Sequence, residues 1–393
     1  MLQNCKTKSR NIIRTVKKKI IGSHFLKLEG LLFFIKFSIR KFTFTKQNKI
    51  VLLRVSSIHP PAIRLHQLFH HFLYCGYTCH YDISFSNYMK LRRYGKKATL
   101  INGIYPYNNK TKGYSIVISD DQKYLENADS EALKIFLNFH IFEHLNTISS
   151  NDFFYPLVHH FKYNSPAIET KVLSNALASK RKIGAFFAGN AKIDTYNSNL
   201  TRELFNVNTR HEMFNYIISK LPNDILYLPN SLDSFLKDIE LGFLENKIVL
   251  LDINNFEIPK KYYFKILLQT NFFMHMCGVT YPYCHNQIES MMAGCIPVTQ
   301  FSDFFIPPFQ HEVNSLLFET LDELIDILLK INVYNYNNMI QPMRKNIVDY
   351  YMTHYSFRSF ENKLSHIIAN HLNYTNYYIT TGANNIIQRL LQK

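Results

Sequence analysis

The spacing of apolar residues changes several times along this chain, and each change marks an element. Lys49-Ile-Val-Leu-Leu-Arg-Val55 is a short apolar run with strand character that ends in Ser56, Ser57, Ile58, His59 and two prolines. Leu65, Leu68, Phe69, Phe72 and Leu73 then recur at helical spacing, and after Gly76 the stretch Tyr77–Ile83 is β-rich again. Strand, loop, helix, strand is how a doubly wound α/β domain opens. The same reading predicts strands over Ala98–Ile104 and Tyr114–Ser119, the latter running into Asp120-Asp121. It predicts a helix over Ser130–Leu145, followed by an aromatic stretch at Phe153–Tyr163.

Around Lys171–Lys182 the pattern lapses, and then the alternation restarts. Ile183-Gly-Ala-Phe-Phe-Ala-Gly-Asn190 reads as a strand entering a glycine turn, and Asn208–Leu221 as a helix. Strands are expected at Asp224–Leu228, Lys247–Ile253, Asn271–Met276 and Cys295–Gln300, with helices at Pro259–Gln269 and Cys284–Ala293. Two α/β units in tandem follow. The expected organisation is a basic arm (1–47), a first α/β domain (48–175), a second (176–335), and C-terminal helices (336–393), Tyr336–Tyr355 and Phe360–Leu372, that can cross back to the first domain.

Composition narrows the class. Hydrophobic residues make up 47% and aromatic residues 15% of 393 positions, which excludes a mainly disordered chain. Six cysteines are scattered without CxxC pairs, which fits a reducing compartment and hence a cytoplasmic protein, and offers no zinc-type ligand spacing. The formal net charge of +16 is concentrated: residues 1–49 hold 13 Lys and Arg against the single acid Glu29, leaving 32 of the 45 bases and 28 of the 29 acids for everything else. A nearly neutral body does not suit a protein that grips phosphates along its length, so no nucleic-acid partner is expected.

The arm carries Lys17-Lys18-Lys19 and then an apolar stretch that Lys27, Glu29 and Lys36 interrupt, too broken for a membrane-spanning helix. At helical spacing Leu28, Leu31, Leu32, Ile35, Ile39 and Phe42 fall on one side. Such a helix can pack on the protein's own core, lie in the plane of an anionic membrane surface on its inner face, or bind nucleic acid.

The most specific passage runs Asn271-Phe-Phe-Met-His-Met-Cys-Gly-Val-Thr-Tyr-Pro-Tyr-Cys-His-Asn-Gln-Ile-Glu-Ser-Met-Met-Ala-Gly-Cys-Ile-Pro-Val298. A strand ends near Gly278, a short loop follows, and a helix begins near Cys284 or His285 with Glu289 one turn in; Gly294 stops that helix before the next strand. Helix N-terminal amides can take a diphosphate, and a carboxylate a turn later can accept from ribose hydroxyls. These residues resemble the C-terminal donor domain of GT-B glycosyltransferases, most closely exostosin-like and related bacterial enzymes, over Lys182–Ile331. Phe186-Phe-Ala-Gly-Asn190, with Arg202 and Arg210 after it, is similar to the first strand and turn of that domain.

The resemblance implies an α/β fold of two Rossmann-like domains facing a cleft, and a metal-independent transfer of a sugar from a nucleotide-sugar substrate, with no cofactor, to a hydroxyl of a glycan or lipid-linked acceptor in cell-surface polysaccharide synthesis. It implies Gly189, Asn190, Arg202, Arg210, His285, Asn286, Glu289 and Gly294 as donor-binding residues. For the acceptor's proton a base is needed, and His59 and Asp120 are the candidates, with Asp121 beside the latter. Arg202 and Arg210 have a plainer alternative in ion pairs with Glu203 or Glu212. Tyr281 stands where retaining members of the family often carry a second Glu, which leaves the stereochemistry open. The same residues also fit a non-catalytic relative that binds glycans or nucleotides.

Overall fold

The computed structural model describes residues 28–41, 49–56, 64–91, 93–108, 113–156, 159–160, 162–279, 281–332, 337–370, 372 and 374–380. His59 and residues 1–27 of the arm lie outside them. In chain order the first elements are α1 (residues 28–38), β1 (Ile50–Arg54), α2 (Arg64–Tyr74), β2 (Thr78–Asp82), α3 (Phe85–Lys90), α4 (Arg93–Ala98), β3 (Ile104–Pro106), β4 (Ile116–Ser119), α5 (Gln122–Glu126) and β5 (Leu133–Asn138). Then come α6 (Ile141–His144), β6 (Phe153–Phe154), α7 (Pro166–Ala176), β7 (Ile183–Gly189), α8 (Ile193–Tyr196), α9 (Asn199–Phe205), α10 (Arg210–Lys220), β8 (Leu226–Tyr227), α11 (Leu232–Leu241) and β9 (Ile248–Asp252). The last are α12 (Lys260–Leu267), β10 (Thr270–Met274), α13 (His285–Met292), β11 (Ile296–Thr299), β12 (Leu316–Leu317), α14 (Leu321–Asn332), α15 (Asn337–His354), α16 (Phe357–Ala369) and β13 (Tyr374–Tyr378).

The fold is α/β with two parallel sheets. The first has seven strands in the order β3-β2-β1-β4-β5-β13-β6, and the second six in the order β12-β11-β10-β7-β9-β8. Their central strands are continuous apolar runs, such as Ile-Val-Leu-Leu in both β1 and β9, and are buried on both faces, as strands of a parallel sheet must be. The described residues fall into two compact units, those up to 137 together with 372–375 and those from 138 to 371 together with those from 376 on. In chain order, the first strand of the second sheet begins at Ile183.

Two sequence-based expectations are corrected. Residues 130–145 are not one helix: Leu133, Ile135 and Leu137 are buried with half-buried Lys134 and Phe136 between them, an alternation of period two, and they form β5 beside β4. Residues 98–104 are not one strand either. Ala98 closes α4, and the Thr99 hydroxyl bonds the Lys96 carbonyl at 2.7 Å. Gly103, at φ +89°, then turns the chain into β3. The polar run of β13, which sequence patterning does not mark, pairs with β6 through Tyr377 and Tyr378.

Within the first unit, α1 packs on its own core, but not through the stripe that spacing singled out. Phe37 stacks on Tyr88 with ring centroids 5.8 Å apart, and Phe34 meets Phe85 and Tyr88 edge-on at 4.8 and 5.1 Å. Gly30 lets this face approach, because a Cβ there would stand 2.8 Å from the Lys96 amine and 3.1 Å from the Met89 methyl.

Candidate functional site

In an open parallel sheet the place for a ligand is beyond the carboxyl ends of the strands, where the strand order reverses. In the second sheet that place lies between β7 and β10, because the chain leaves β7 toward β9 and β8 and returns on its other side as β10, β11 and β12. The residues there are Gly189 at the end of β7 and Asn190 after it, Cys277 and Gly278 after β10, and the start of α13.

Arg210, the first residue of α10, is 3% exposed and occupies this point. Its guanidinium donates to the Cys277 carbonyl at 2.9 Å, to the Asn190 carbonyl at 3.1 Å and to the Cys284 sulfur at 3.1 Å. It lies 4.0 Å from the Tyr196 ring centroid and 5.5 Å from that of Phe187. These partners carry no acid, and among the described residues none lies within salt-bridge distance, so the charge is oriented without being cancelled. Gly189 makes the arrangement possible: a Cβ at this position would meet the Phe187 ring at 2.6 Å and the Arg210 guanidinium at 3.2 Å.

Asn286, in the first turn of α13, donates from Nδ2 to the Ala188 carbonyl at 3.3 Å. Its Oδ1 is buried and has no hydrogen-bond partner among the described residues, an arrangement that costs free energy unless a donor arrives. The Asn190 side chain accepts from the Lys192 amide and from Asn254. Beside these, the Gln287 side chain accepts from the Cys284 amide at 2.9 Å and fixes the turn into α13.

Glu289 is 2% exposed, and its carboxylate accepts from the His160 amide at 2.8 Å and from the Tyr263 hydroxyl. Burial pushes its pKa up to about 7 against these two hydrogen bonds. The His160 ring stands edge-on to His285 at 5.6 Å, and burial, with His285 and Lys162 nearby, lowers its pKa to about 4. One residue back, His159 Nε2 lies 2.8 Å from the Tyr351 hydroxyl, which donates to Glu169 at 2.7 Å. Glu169 also accepts from the Phe357 amide, and burial likewise raises its pKa to about 7.

The remaining donor-side expectations fall elsewhere. Arg202 is taken by Glu212, Nε to Oε2 at 2.8 Å and Nη2 to Oε1 at 2.5 Å, with Asn197 and Asn199 as further acceptors. Glu212 in turn accepts from the Thr209 amide at 2.9 Å, so this pair braces the start of α10. Burial alone would raise the Glu212 pKa, but the bonds from Arg202 and Thr209 outweigh it and hold the group below the usual range. Gly294, at φ +72°, ends α13 at the opposite end from His285, about 13 Å along the helix. A Cβ there would meet the Ala176 carbonyl at 3.0 Å.

The first sheet has its own reversal, between β1 and β4. Asp120 stands there, accepting from the Ser56 amide at 2.6 Å and the Ser56 hydroxyl at 3.0 Å. Ser56, Asp120, Asp121, Lys123 and Glu126 border an open cavity of about 550 Å³. Asp121 is committed to capping α5 through the Tyr124 amide at 3.2 Å. Among the described residues, no three His, Cys, Asp or Glu side chains gather as a metal site, and no helix is long and apolar enough to cross a membrane. Sequence reasoning did not single out Tyr196, Tyr263, His160 or Ser56, because nothing in their neighbourhoods shows which distant residue they meet.

No protein-family model matches the sequence, and no curated protein matches it either. Several solved structures are similar in backbone. The Anabaena protein HepE, crystallised with UDP, is 12% identical over 82% of this chain and 100% of its own, with a TM-score of 0.44. A glycosyltransferase from Rickettsia africae is 12% identical over 83% of this chain and 99% of its own, with a TM-score of 0.43. Sucrose-phosphate synthase from Thermosynechococcus elongatus is 11% identical over 83% of this chain and 99% of its own, with a TM-score of 0.39.

Proposed function

We propose that the chain is a glycosyltransferase that takes a sugar from a nucleoside diphosphate and passes it to a hydroxyl of a glycan or lipid-linked acceptor. The observation that carries the reading is Arg210, a buried guanidinium held by neutral partners at the reversal of the second sheet. A diphosphate supplies the opposite charge, and the start of α13 adds partial positive charge from its amides. The orphan acceptor Asn286 Oδ1 suits a hydroxyl or amide of the nucleotide sugar. Glu289 takes the ribose hydroxyls by exchanging the His160 amide or the Tyr263 hydroxyl for them; both are single donors that a sugar hydroxyl can replace.

In the transfer, the acceptor oxygen bonds to the anomeric carbon, and the bond from that carbon to the diphosphate oxygen breaks with its electron pair remaining on the diphosphate. Arg210 stabilises that growing charge. The acceptor proton passes to a base, for which Asp120 at the first sheet's reversal is the proposed group. A role in surface polysaccharide synthesis belongs to this reading through the class of acceptor.

The test is thermal stabilisation by a panel of nucleoside diphosphates, followed by turnover of the matching nucleotide sugars. A preferred diphosphate at a hundred times its Kd raises stability by about 2.7 kcal/mol. Arg210→Ala, compared with its own ligand-free melting point, should lose that gain, and Arg210→Lys should keep part of it. A full gain in Arg210→Ala removes the diphosphate assignment. Stabilisation without any turnover favours a non-catalytic nucleotide-binding protein instead.

A further inference from the structure

Helix α1 has two apolar sides, and the fold uses one. Gly30, Phe34 and Phe37 face Tyr88, Phe85 and Met89, while Leu28, Leu31, Leu32, Ile35 and Ile39 point the other way and are 56, 38, 51, 46 and 69% exposed. A helix that is apolar all round is normally covered all round. Five aliphatic side chains in a single stripe differ from isolated exposed leucines, which need no explanation. Arg40, just past the helix, donates to the Thr99 and Ile101 carbonyls at 3.3 and 2.8 Å and ties that end of α1 to the first unit. The stripe is therefore presented on a fixed support.

Charge selects the occupant. Exposed Lys36 and Lys41 flank the stripe, and the 49 residues around and before it carry 13 Lys and Arg against one Glu. An apolar stripe bordered by lysine is the pattern of a helix lying in the plane of a bilayer, with aliphatic side chains among the acyl chains and amines at anionic headgroups. We infer that the outer face of α1, through Leu28, Leu31, Leu32, Ile35 and Ile39, docks the protein on an anionic lipid surface. The inference names the surface on which a lipid-linked acceptor would be met, and so deepens the transferase reading, but its test needs no turnover.

The experiment sediments the full chain with vesicles of phosphatidylcholine and phosphatidylserine in a three-to-one mixture, and with phosphatidylcholine alone. The parent should bind the mixed vesicles, bind the neutral ones much less, and lose binding as salt rises. Leu32→Glu with Ile35→Glu should weaken partition into the mixed vesicles at least ~10-fold. Because both side chains are exposed, this variant should keep the parent's melting temperature and its stabilisation by nucleoside diphosphate. Unchanged partition of the variant overturns the inference. So does equal binding of the parent to both kinds of vesicle, or a parent that binds neither and is a dimer the variant turns into a monomer. Loss of nucleotide stabilisation in the parent itself would count against the transferase reading and leave the vesicle result standing.

Discussion

At the carboxyl ends of β7 and β10 the chain places a guanidinium, and at the carboxyl ends of β1 and β4 it places a carboxylate. Both positions are strand-order reversals in parallel sheets, so backbone architecture alone treats them alike. They differ in how the charge is held. Arg210 is buried, stacked on Tyr196 and bonded to two carbonyls, all of which fix its orientation without a counter-charge. Asp120 borders an open cavity and accepts from the amide and hydroxyl of Ser56. A fixed buried cation suits an anionic ligand that must be oriented. A carboxylate at an open edge suits a proton that must be taken and handed to water. The same layout thus presents opposite charges in opposite settings, and under the proposed function these would serve two tasks.

The sharpest way to break this contrast is Asp120→Asn. The amide retains an oxygen that can accept from Ser56, but it cannot take a proton. If Asp120 is the base, turnover should fall by about 10²- to 10⁴-fold, while stabilisation by nucleoside diphosphate remains that of the parent. Turnover within a few-fold of the parent would move the role of base to another residue, His59 first.

The second unit makes a further prediction through its buried acids. Glu289 and Glu169 each have a folded-state pKa raised to about 7 from an ordinary 4.5. Below pH 4.5 both states hold the proton and nothing is lost. Between that and pH 7 the unfolded chain releases protons that the fold retains, so stability falls as pH rises, by an amount on the order of 3 kcal/mol for each group once both states are ionised. Glu289→Gln removes one of these ionisations while keeping an acceptor for the His160 amide. The difference in urea midpoint between this variant and the parent should therefore grow in the variant's favour from pH 5 to pH 8. A difference that stays flat with pH would mean that Glu289 ionises in the fold as it does in the unfolded chain.

How much of this could be read from the sequence depends on range. The strands β1, β7 and β9 were legible because burial on both faces leaves unbroken apolar runs. The turn into α13 was legible because a glycine, a short loop and a helix follow in order. β5 was missed because its alternating positions also fit a helical spacing over a longer window, and β13 because Tyr-Thr-Asn-Tyr-Tyr has no apolar pattern. In the candidate site, Arg210 and Asn286 were within reach, since each stands at the start of a recognisable helix. The partners of Glu289 were not: His160 is 129 residues away, and its contribution is a backbone amide, which no side-chain pattern announces. Ser56 and Asp120 meet across 64 residues for the same reason.

The smallest expected effect tests whether the cation's setting extends beyond its immediate partners. Arg202 is itself about 42% exposed, and its pairing with Glu212 is an exposed ion pair of the kind that contributes about 0.2–1 kcal/mol. Glu212, however, also caps α10, whose first residue is Arg210. Arg202→Ala should therefore cost under about 1 kcal/mol in urea unfolding, and weaken nucleoside diphosphate binding by a few-fold at most, because the cap from Thr209 keeps Arg210 in place. Loss of binding as complete as in Arg210→Ala would give Arg202 direct contact with the diphosphate. The site would then hold two cations, and the contrast with Asp120 at the first sheet would widen from a difference in sign to a difference in how many charges meet the ligand.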